Sequence, residues 1–291
     1  MESIAIITGA SSGVGREFVH QLDHHAGGPL DQLWLIARSK DALERVAAGC
    51  TTKTRILPLD LTDPSSFEAL KKEISDACAD EKTYVQWLIN SAGFGRAGKF
   101  VEIGEASNAG MVRLNCLAVV ELCSLVLPYM RSGSRIINLA SMAGTLPLEG
   151  FAVYSASKSF VLNFSHALDA ELAATGIHVT AVCPKWMKTG FLDHAGSKQS
   201  LKKMMFIGFE NPTDVVRKTI RSAVLGRGVC VPSFDMKIAY GALAILPVGF
   251  VMAAMRFIGD WTTEHLSRHN RLCRLPPRRD ASQEIQHAIN L

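Results

Sequence analysis

Across 291 residues the chain has no Cys-x-x-Cys pair, no internal repeat and no composition break before about residue 235. Its seven cysteines, at 50, 78, 116, 123, 183, 230 and 273, are odd in number and scattered, several within apolar runs. Buried thiols in a reducing compartment fit that distribution better than a disulfide framework or a zinc site. No cationic, apolar leader precedes the β-like run that begins at Ser3, which argues against a secretory signal and points to the cytoplasm. Any excess of charge of one sign is small as well. The net charge of +4 is too small to argue by itself for nucleic acid. His20 and His24 stand one helical turn apart with His25 beside them, but no glutamate lies between them in the His-Glu-x-x-His manner. No metal site is expected.

What is present is a globular composition, 48% hydrophobic and 20% charged, in a chain long enough to bury a substantial core. Short aliphatic runs at 3–8, 32–37, 54–59, 85–90, 134–140, 177–183 and 228–233 read as strands. Helix-like segments fall between them, at 14–25, 39–48, 64–79, 105–131, 152–175 and 213–226. Strands alternating with helices call for a parallel sheet covered on both faces, because each crossover needs a helix to return the chain. The expected organisation is one α/β domain over 1–235 followed by an apolar, then basic, extension over 236–291.

The first strand runs into "ITGASSGVGREF" (7–18). Gly9, Gly13 and Gly15 lie at a strand-to-helix junction, where Ser11, Ser12 and Val14 complete a turn able to offer backbone N–H groups to a pyrophosphate. Arg38 ends the second strand where many NAD-binding folds place an acid. An arginine there either pairs with a 2′-phosphate, favouring NADP, or is a solvated surface residue.

"SMAGTLPLEGFAVYSASKSFVLN" (141–163) places Tyr154 and Lys158 one helical turn apart, with Ser141 upstream. Reduction of a ketone leaves an alkoxide that must gain a proton as hydride arrives at carbon. An adjacent ammonium favours the phenolate and lowers the phenol pKa, so Tyr154 could give or take that proton. Ser141 could donate to the same oxygen. By spacing alone, however, these residues read more readily as a solvated helix face and a turn.

Taken together, "TGASSGVG" (8–15), "DLTD" (60–63), "NSAG" (90–93), Asn115, "INLASMAG" (137–144), "YSASK" (154–158) and "CPKWMKTGF" (183–191) resemble the short-chain dehydrogenase/reductase superfamily over roughly residues 3–233. The resemblance implies a doubly wound, Rossmann-like parallel sheet and hydride transfer between a nicotinamide and a carbonyl or alcohol. It implies that Asp60 and Leu61 meet the adenine, that Asn90, Ala92 and Gly93 line the cofactor cleft, and that Pro184 and Thr189 lie at the nicotinamide. It gives Lys158 a second task on the ribose hydroxyls and Asn115 a water in the proton relay. It further implies a dimer or tetramer paired through 105–131 and 152–175.

The chain departs from the family at Lys185, where Pro-Gly is usual. A lysine there either narrows the approach to the nicotinamide or adds charge near the phosphates. Trp186 and Met187 either wall that site or pack ordinarily. The segment 190–211 reads as a substrate lid whose Phe191, Leu192, Met204, Met205, Phe206, Ile207 and Phe209 suit a bulky apolar molecule such as a steroid, acyl chain or sphingoid base. The same residues are equally at home in a core. No charge occurs from Ile238 to Met255, and "RHNRLCRLPPRR" (268–279) follows. That arm packs on the substrate opening or a partner subunit, attaches shallowly to a membrane, or spans one. Two functional classes compete: an NADP(H)-dependent oxidoreductase on a lipophilic ketone or secondary alcohol, and a non-catalytic NADP-binding sensor or scaffold with the same fold.

Overall fold

In the computed structural model the described residues are 1–187 and 208–254. Seven parallel strands form one sheet: β1 (Glu2–Thr8), β2 (Gln32–Ala37), β3 (Lys53–Pro58), β4 (Thr83–Asn90), β5 (Arg135–Leu139), β6 (His178–Val182) and β9 (Val229–Cys230). The helices are α1 (Gly13–Asp23), α2 (Lys40–Ala47), α3 (Pro64–Ala77), α4 (Phe100–Ile103), α5 (Glu105–Val112), α6 (Ala118–Val126), α7 (Ala152–Leu172), α8 (Pro212–Val224) and α9 (Phe234–Ile245). A second, two-stranded sheet joins β7 (Trp186–Met187) to β8 (Phe209–Glu210).

The strand order is β3-β2-β1-β4-β5-β6-β9. The chain works outward from β1 through β2 and β3, then crosses back to lay β4 on the other side of β1. That reversal opens a crevice beyond the carboxyl ends of β1 and β4, the place where such sheets bind ligands.

Alternation along the strands builds the two core layers. Ile4 and Ile6 of β1 join Trp34 and Ile36 of β2 on one face, packed with Leu70 and Ile74 of α3, Leu122 and Val126 of α6, and Val161 of α7. Ala5, Ile7, Leu33 and Leu35 face the other way, against Phe18 and Leu22 of α1 and Val216 and Ile220 of α8. Both faces are apolar because helices cover both, as parallel sheets require.

Element ends match the expected ones to within a few residues, with three informative differences. The single helix expected over 105–131 is α5 and α6 joined by a π-helical turn over Arg113–Leu117, ending in a 3₁₀ turn. By length and apolarity Glu105–Tyr129 could cross a bilayer, but Met111, Ala118, Leu122 and Val126 are buried in this fold. The last strand is shorter than 228–233, since only Val229 and Cys230 pair with β6.

The third difference is in the apolar arm. Helix α9 lays Met236, Ala239, Tyr240 and Leu243 on the core while Phe234, Ile238 and Ile245 stay exposed. It stops at Leu246, which is extended (ψ 137°) before Pro247, and helix resumes over 248–254. A residue preceding proline is driven out of the helical region, so the helix is interrupted at Leu246–Pro247.

Candidate active site

The ends of β1, β4, β5 and β6, the start of α1, a π-helical turn and α7 assemble the site. At the β1–α1 junction, Gly9 has φ +65°, and a Cβ there would sit 3.0 Å from the Ala92 nitrogen. At Gly15 a Cβ would lie 2.2 Å from the Gly9 carbonyl oxygen. The turn is therefore closed onto itself and onto the loop after β4. Ser12 caps α1 in extended conformation without a side-chain bond to the helix, so the first N–H groups of α1 are free for a ligand. This bare helix start, backed by glycines with no room for a side chain, fits a pyrophosphate.

The loop after β4 hangs from Thr8. Its hydroxyl accepts the N–H groups of Ser91 and Ala92, each at 3.0 Å, and donates to the Ile89 carbonyl at 3.2 Å. Asn90 is buried and donates to Asn138 on β5 at 2.8 Å; Asn138 donates in turn to Ser165 on α7 at 2.9 Å. A polar thread thus crosses the core from β4 through β5 to α7. Gly93 is exposed, and a Cβ on it would reach within 2.9 Å of Asn115 Oδ1 and 3.6 Å of Lys158 Nζ. Both groups therefore lie close to the Gly93 backbone.

Asn115 lies in the π-helical turn, the one place where the long helix is unwound enough to present a residue out of α register. Its side chain is buried, accepts the Phe94 N–H at 3.1 Å, and donates to the Phe94 carbonyl at 2.9 Å and to Ser157 Oγ at 3.1 Å.

Ser141 follows β5 and starts a 3₁₀ turn, its hydroxyl accepting from the Ala143 N–H at 3.1 Å. It also hydrogen-bonds Tyr154. Tyr154 and Lys158 are both buried on one face of α7, with the ammonium 6.0 Å from the phenol ring centroid. Lys158 donates to the Leu139 carbonyl at 2.6 Å. A Cβ on Gly144 would lie 2.6 Å from the Lys158 carbonyl, so this glycine lets the Ser141 turn sit on α7.

The electrostatics differ from the sequence expectation. Burial pushes the Tyr154 phenol up to about 12, against a smaller lowering by Ser141. Burial pulls the Lys158 ammonium down to about 8. In the protein alone the phenol is therefore raised, not lowered, because burial removes it from water.

At the edge of the crevice, Arg38 is exposed at the end of β2 and depresses the Asp60 carboxyl. The larger cause of that depression is Thr62, whose hydroxyl and N–H both donate to Asp60. Leu61 is buried beside it. Pro184 is buried after β6 and accepts the Met142 N–H at 3.0 Å, tying the Ser141 turn to β6. Thr189, and the expected lid up to Ile207, lie outside the described residues.

Residues 3–200 match the family model described as short chain dehydrogenase. The chain belongs to that family. Its members include a human very-long-chain 3-oxoacyl-CoA reductase, 29% identical over 64% of this chain and 59% of that one. A sulfoacetaldehyde reductase from Chromohalobacter salexigens is 32% identical over 71% of this chain and 81% of that one. A solved short-chain dehydrogenase from Sphingobium yanoikuyae, in complex with NADPH, superposes with TM-score 0.71 over 96% of this chain and 100% of that one. At 24% identity that likeness carries the fold alone.

In this short-chain dehydrogenase the structure brings together Gly9, Gly13, Gly15, Asn90, Ala92, Gly93, Asn115, Ser141, Tyr154, Lys158 and Pro184 around one crevice. Sequence reasoning missed the residues that hold them there: Thr8, Asn138 and Ser157. Asn138 carried a visible signal, an amide inside the apolar run "RIINLA", since a buried amide demands partners. Lys185, the residue at which the chain departs from the family pattern, pairs its ammonium with Asp235 at 2.9 Å. Trp186 tilts against Phe151 at 5.7 Å, and Phe151 meets the Tyr154 ring edge-on at 6.3 Å. His20 and His24 stack their rings on exposed turns of α1. Among the described residues no group of three or more His, Cys, Asp or Glu could hold a metal, and the six cysteines are free thiols.

Proposed function

We propose that this oxidoreductase interconverts a ketone and a secondary alcohol on a lipophilic substrate with NADP(H) as its cofactor. The observation that carries the proposal is one crevice holding Ser141, Tyr154, Lys158 and Asn115 beside a helix N-terminus closed by glycines. A binding module needs the second feature only.

The nicotinamide, when bound, supplies or accepts the hydride. Tyr154 gives the substrate oxygen its proton, and its raised pKa keeps it in the neutral, donating form that reduction consumes. Ser141, bonded to Tyr154, orients the phenol and donates to the same oxygen as negative charge develops. Lys158 holds positive charge behind the phenol and offers donors to the cofactor ribose. Asn115, adjacent to Lys158 across Gly93, fixes the start of the proton path through Ser157 and Phe94.

The turn residues Gly9, Ser11, Ser12, Gly13, Val14 and Gly15 hold the pyrophosphate. Asp60 and Leu61 receive the adenine, while Pro184 and Thr189 flank the nicotinamide. The preference for NADP rests on Arg38, a cation where a ribose-binding acid would otherwise stand.

The lipophilic class rests on the Trp186–Phe151 wall, on the apolar sequence of 190–211, and on the acyl chain in the human relative's name. The Chromohalobacter relative is named for a small anion, so the substrate panel must span both. We assign 1–235 to the catalytic domain and 236–291 to the extension. Peripheral membrane contact is assigned to 236–279 on the strength of the outward apolar face of α9. Homodimer or homotetramer formation falls to the long helices, where Val112, Leu117 and Phe160 are exposed.

The test is NADPH consumption over steroids, acyl ketones and small aldehydes, with NADPH binding measured in parallel. Tyr154→Phe should lower turnover by about a hundredfold or more while binding persists. A wild-type protein that binds NADPH and turns over none of the panel would support the sensor or scaffold reading instead.

A further inference from the structure

Lys185 is the one place in the motif set where this chain departs from the family pattern, and the structure gives its side chain a defined use. The residue follows Pro184, whose carbonyl holds the Ser141 turn, and precedes Trp186, which leans on Phe151 beside Tyr154. Its backbone N–H donates to Glu210 Oε2 at 2.9 Å. Its ammonium donates to Asp235 Oδ2, also at 2.9 Å, in the first turn of α9. Three separated stretches of chain therefore meet at one residue: the end of β6, the β8 strand and the start of the apolar helix.

The geometry around it is that of a built contact. Only 14% of the Lys185 side chain is exposed against 53% for Asp235, so the stem is packed and the ammonium reaches out to its partner. Bonding to Lys185 holds the Asp235 carboxyl below its ordinary value. Asp235 also suits the helix start, where the backbone favours negative charge. Glu210 depends on the same residue, since its other carboxylate oxygen is buried with no partner among the described residues. Strands β7 and β8, which flank the segment 188–207, are only two residues long each, pairing Trp186 with Phe209 and Met187 with Glu210. So short a ladder is weak on its own. A glycine at position 185 could keep the backbone bond but could not reach α9.

We propose that Lys185 is a positioning residue that clasps the strip Pro184–Met187 and strand β8 to the N-terminus of α9, and so sets the affinity for the carbonyl substrate. Among the described residues, the hydrogen bonds of Lys185 go to Glu210 and Asp235, not to the proton path or the glycine turn. Its action runs through the strip that carries Trp186, the indole against Phe151, and through the two ends of the segment 188–207. The clasp belongs to this chain, because it depends on an ammonium at 185 and a carboxylate at 235 together. For the identity of the substrate it rests on the function proposed above; for the clasp itself it does not.

The experiment pairs hydrogen–deuterium exchange with steady-state kinetics in the full chain, on the best carbonyl found in the panel. Lys185→Met keeps the stem and removes the charge, Asp235→Asn removes the other partner, Lys185→Arg keeps the charge, and Lys185→Asp with Asp235→Lys reverses the pair. Breaking the clasp should speed exchange in peptides covering 209–210 and 234–245, and raise the substrate KM, each by about three- to tenfold. kcat and the NADPH Kd should hold. Lys185→Arg and the reversed pair should return both readouts toward wild type. Exchange and KM unchanged in Lys185→Met would overturn the proposal, as would failure of both charge-keeping forms to rescue. An NADPH Kd rising in step with KM would overturn it too, placing Lys185 on the cofactor. If the wild type turns over no carbonyl, the proposed function fails on its own account, and exchange still decides whether the clasp exists.

Discussion

The β1–α1 turn and the strip after β6 sit at the same end of one sheet, yet they are held by different kinds of force. At the turn, backbone packs on backbone: Gly15 lies so close under the Gly9 carbonyl that no Cβ fits, and Gly9 presses on Ala92. After β6, two-residue strands, one carboxylate on a peptide N–H and one ion pair do the holding. The first arrangement has a single solution and must be written in glycine. The second has many solutions, and each chain can choose its own side chains for it.

This contrast can be broken at several points. Gly15→Ala should be the most damaging, because the clash is with a carbonyl that cannot move without opening the turn. A loss of about 3 kcal/mol in unfolding free energy is expected, read by urea titration, together with loss of NADPH binding. Retention of both would show that the turn has more freedom than its packing implies.

Thr8→Val preserves shape but strips the hydroxyl from the loop after β4. The half-buried Ala92 N–H then loses its acceptor and the Ser91 N–H keeps only the Ile89 carbonyl, at a cost of about 1–2 kcal/mol. The same urea titration checks it, and a neutral result would mean that water replaces the hydroxyl. Arg38→Ala touches no packing. It should weaken NADPH binding about tenfold while leaving NADH unchanged, as loss of a cation facing a 2′-phosphate requires. Equal effects on both cofactors would remove the basis for the NADP assignment.

A separate signal is a pH signature from the two buried groups on α7. Lys158 titrates at about 8 in the fold against 10.5 in the open chain. Between those values the unfolded chain binds more protons, so stability rises with pH. Tyr154 titrates at about 12 against 10.0, so above pH 10 the folded chain keeps a proton that the unfolded chain loses, and stability falls. Denaturant titrations across this range should show the rise vanish in Lys158→Met and the fall vanish in Tyr154→Phe.

The same contrast explains what could be read from the sequence. Strand runs such as "SIAIIT" announce themselves because a parallel sheet buries both faces, and "TGASSGVG" does so because close packing tolerates only glycine. Helical spacing alone leaves Tyr154 and Lys158 open as a solvated helix face; with the glycine turn, Asn115 and the flanking motifs together, the pair was legible. The unwinding at Arg113–Leu117 that turns Asn115 inward was not, since nothing in "RLNCL" separates a π turn from an α turn. Nor was the raised phenol pKa, because burial is a property of everything packed around α7 and not of the motif. The partnership of Lys185 with Asp235 spans 50 positions, and no local pattern encodes it.

The central claim, hydride transfer to a carbonyl at the Tyr154 site, is tested most directly by following the hydrogen itself. NADPH deuterated at the transferring position of the nicotinamide would be consumed with the best carbonyl in the panel, and the alcohol product examined for label. Deuterium on the carbinol carbon, with label transfer abolished in Tyr154→Phe, is the predicted result. Unlabelled alcohol, or label transfer undiminished in Tyr154→Phe, would contradict it.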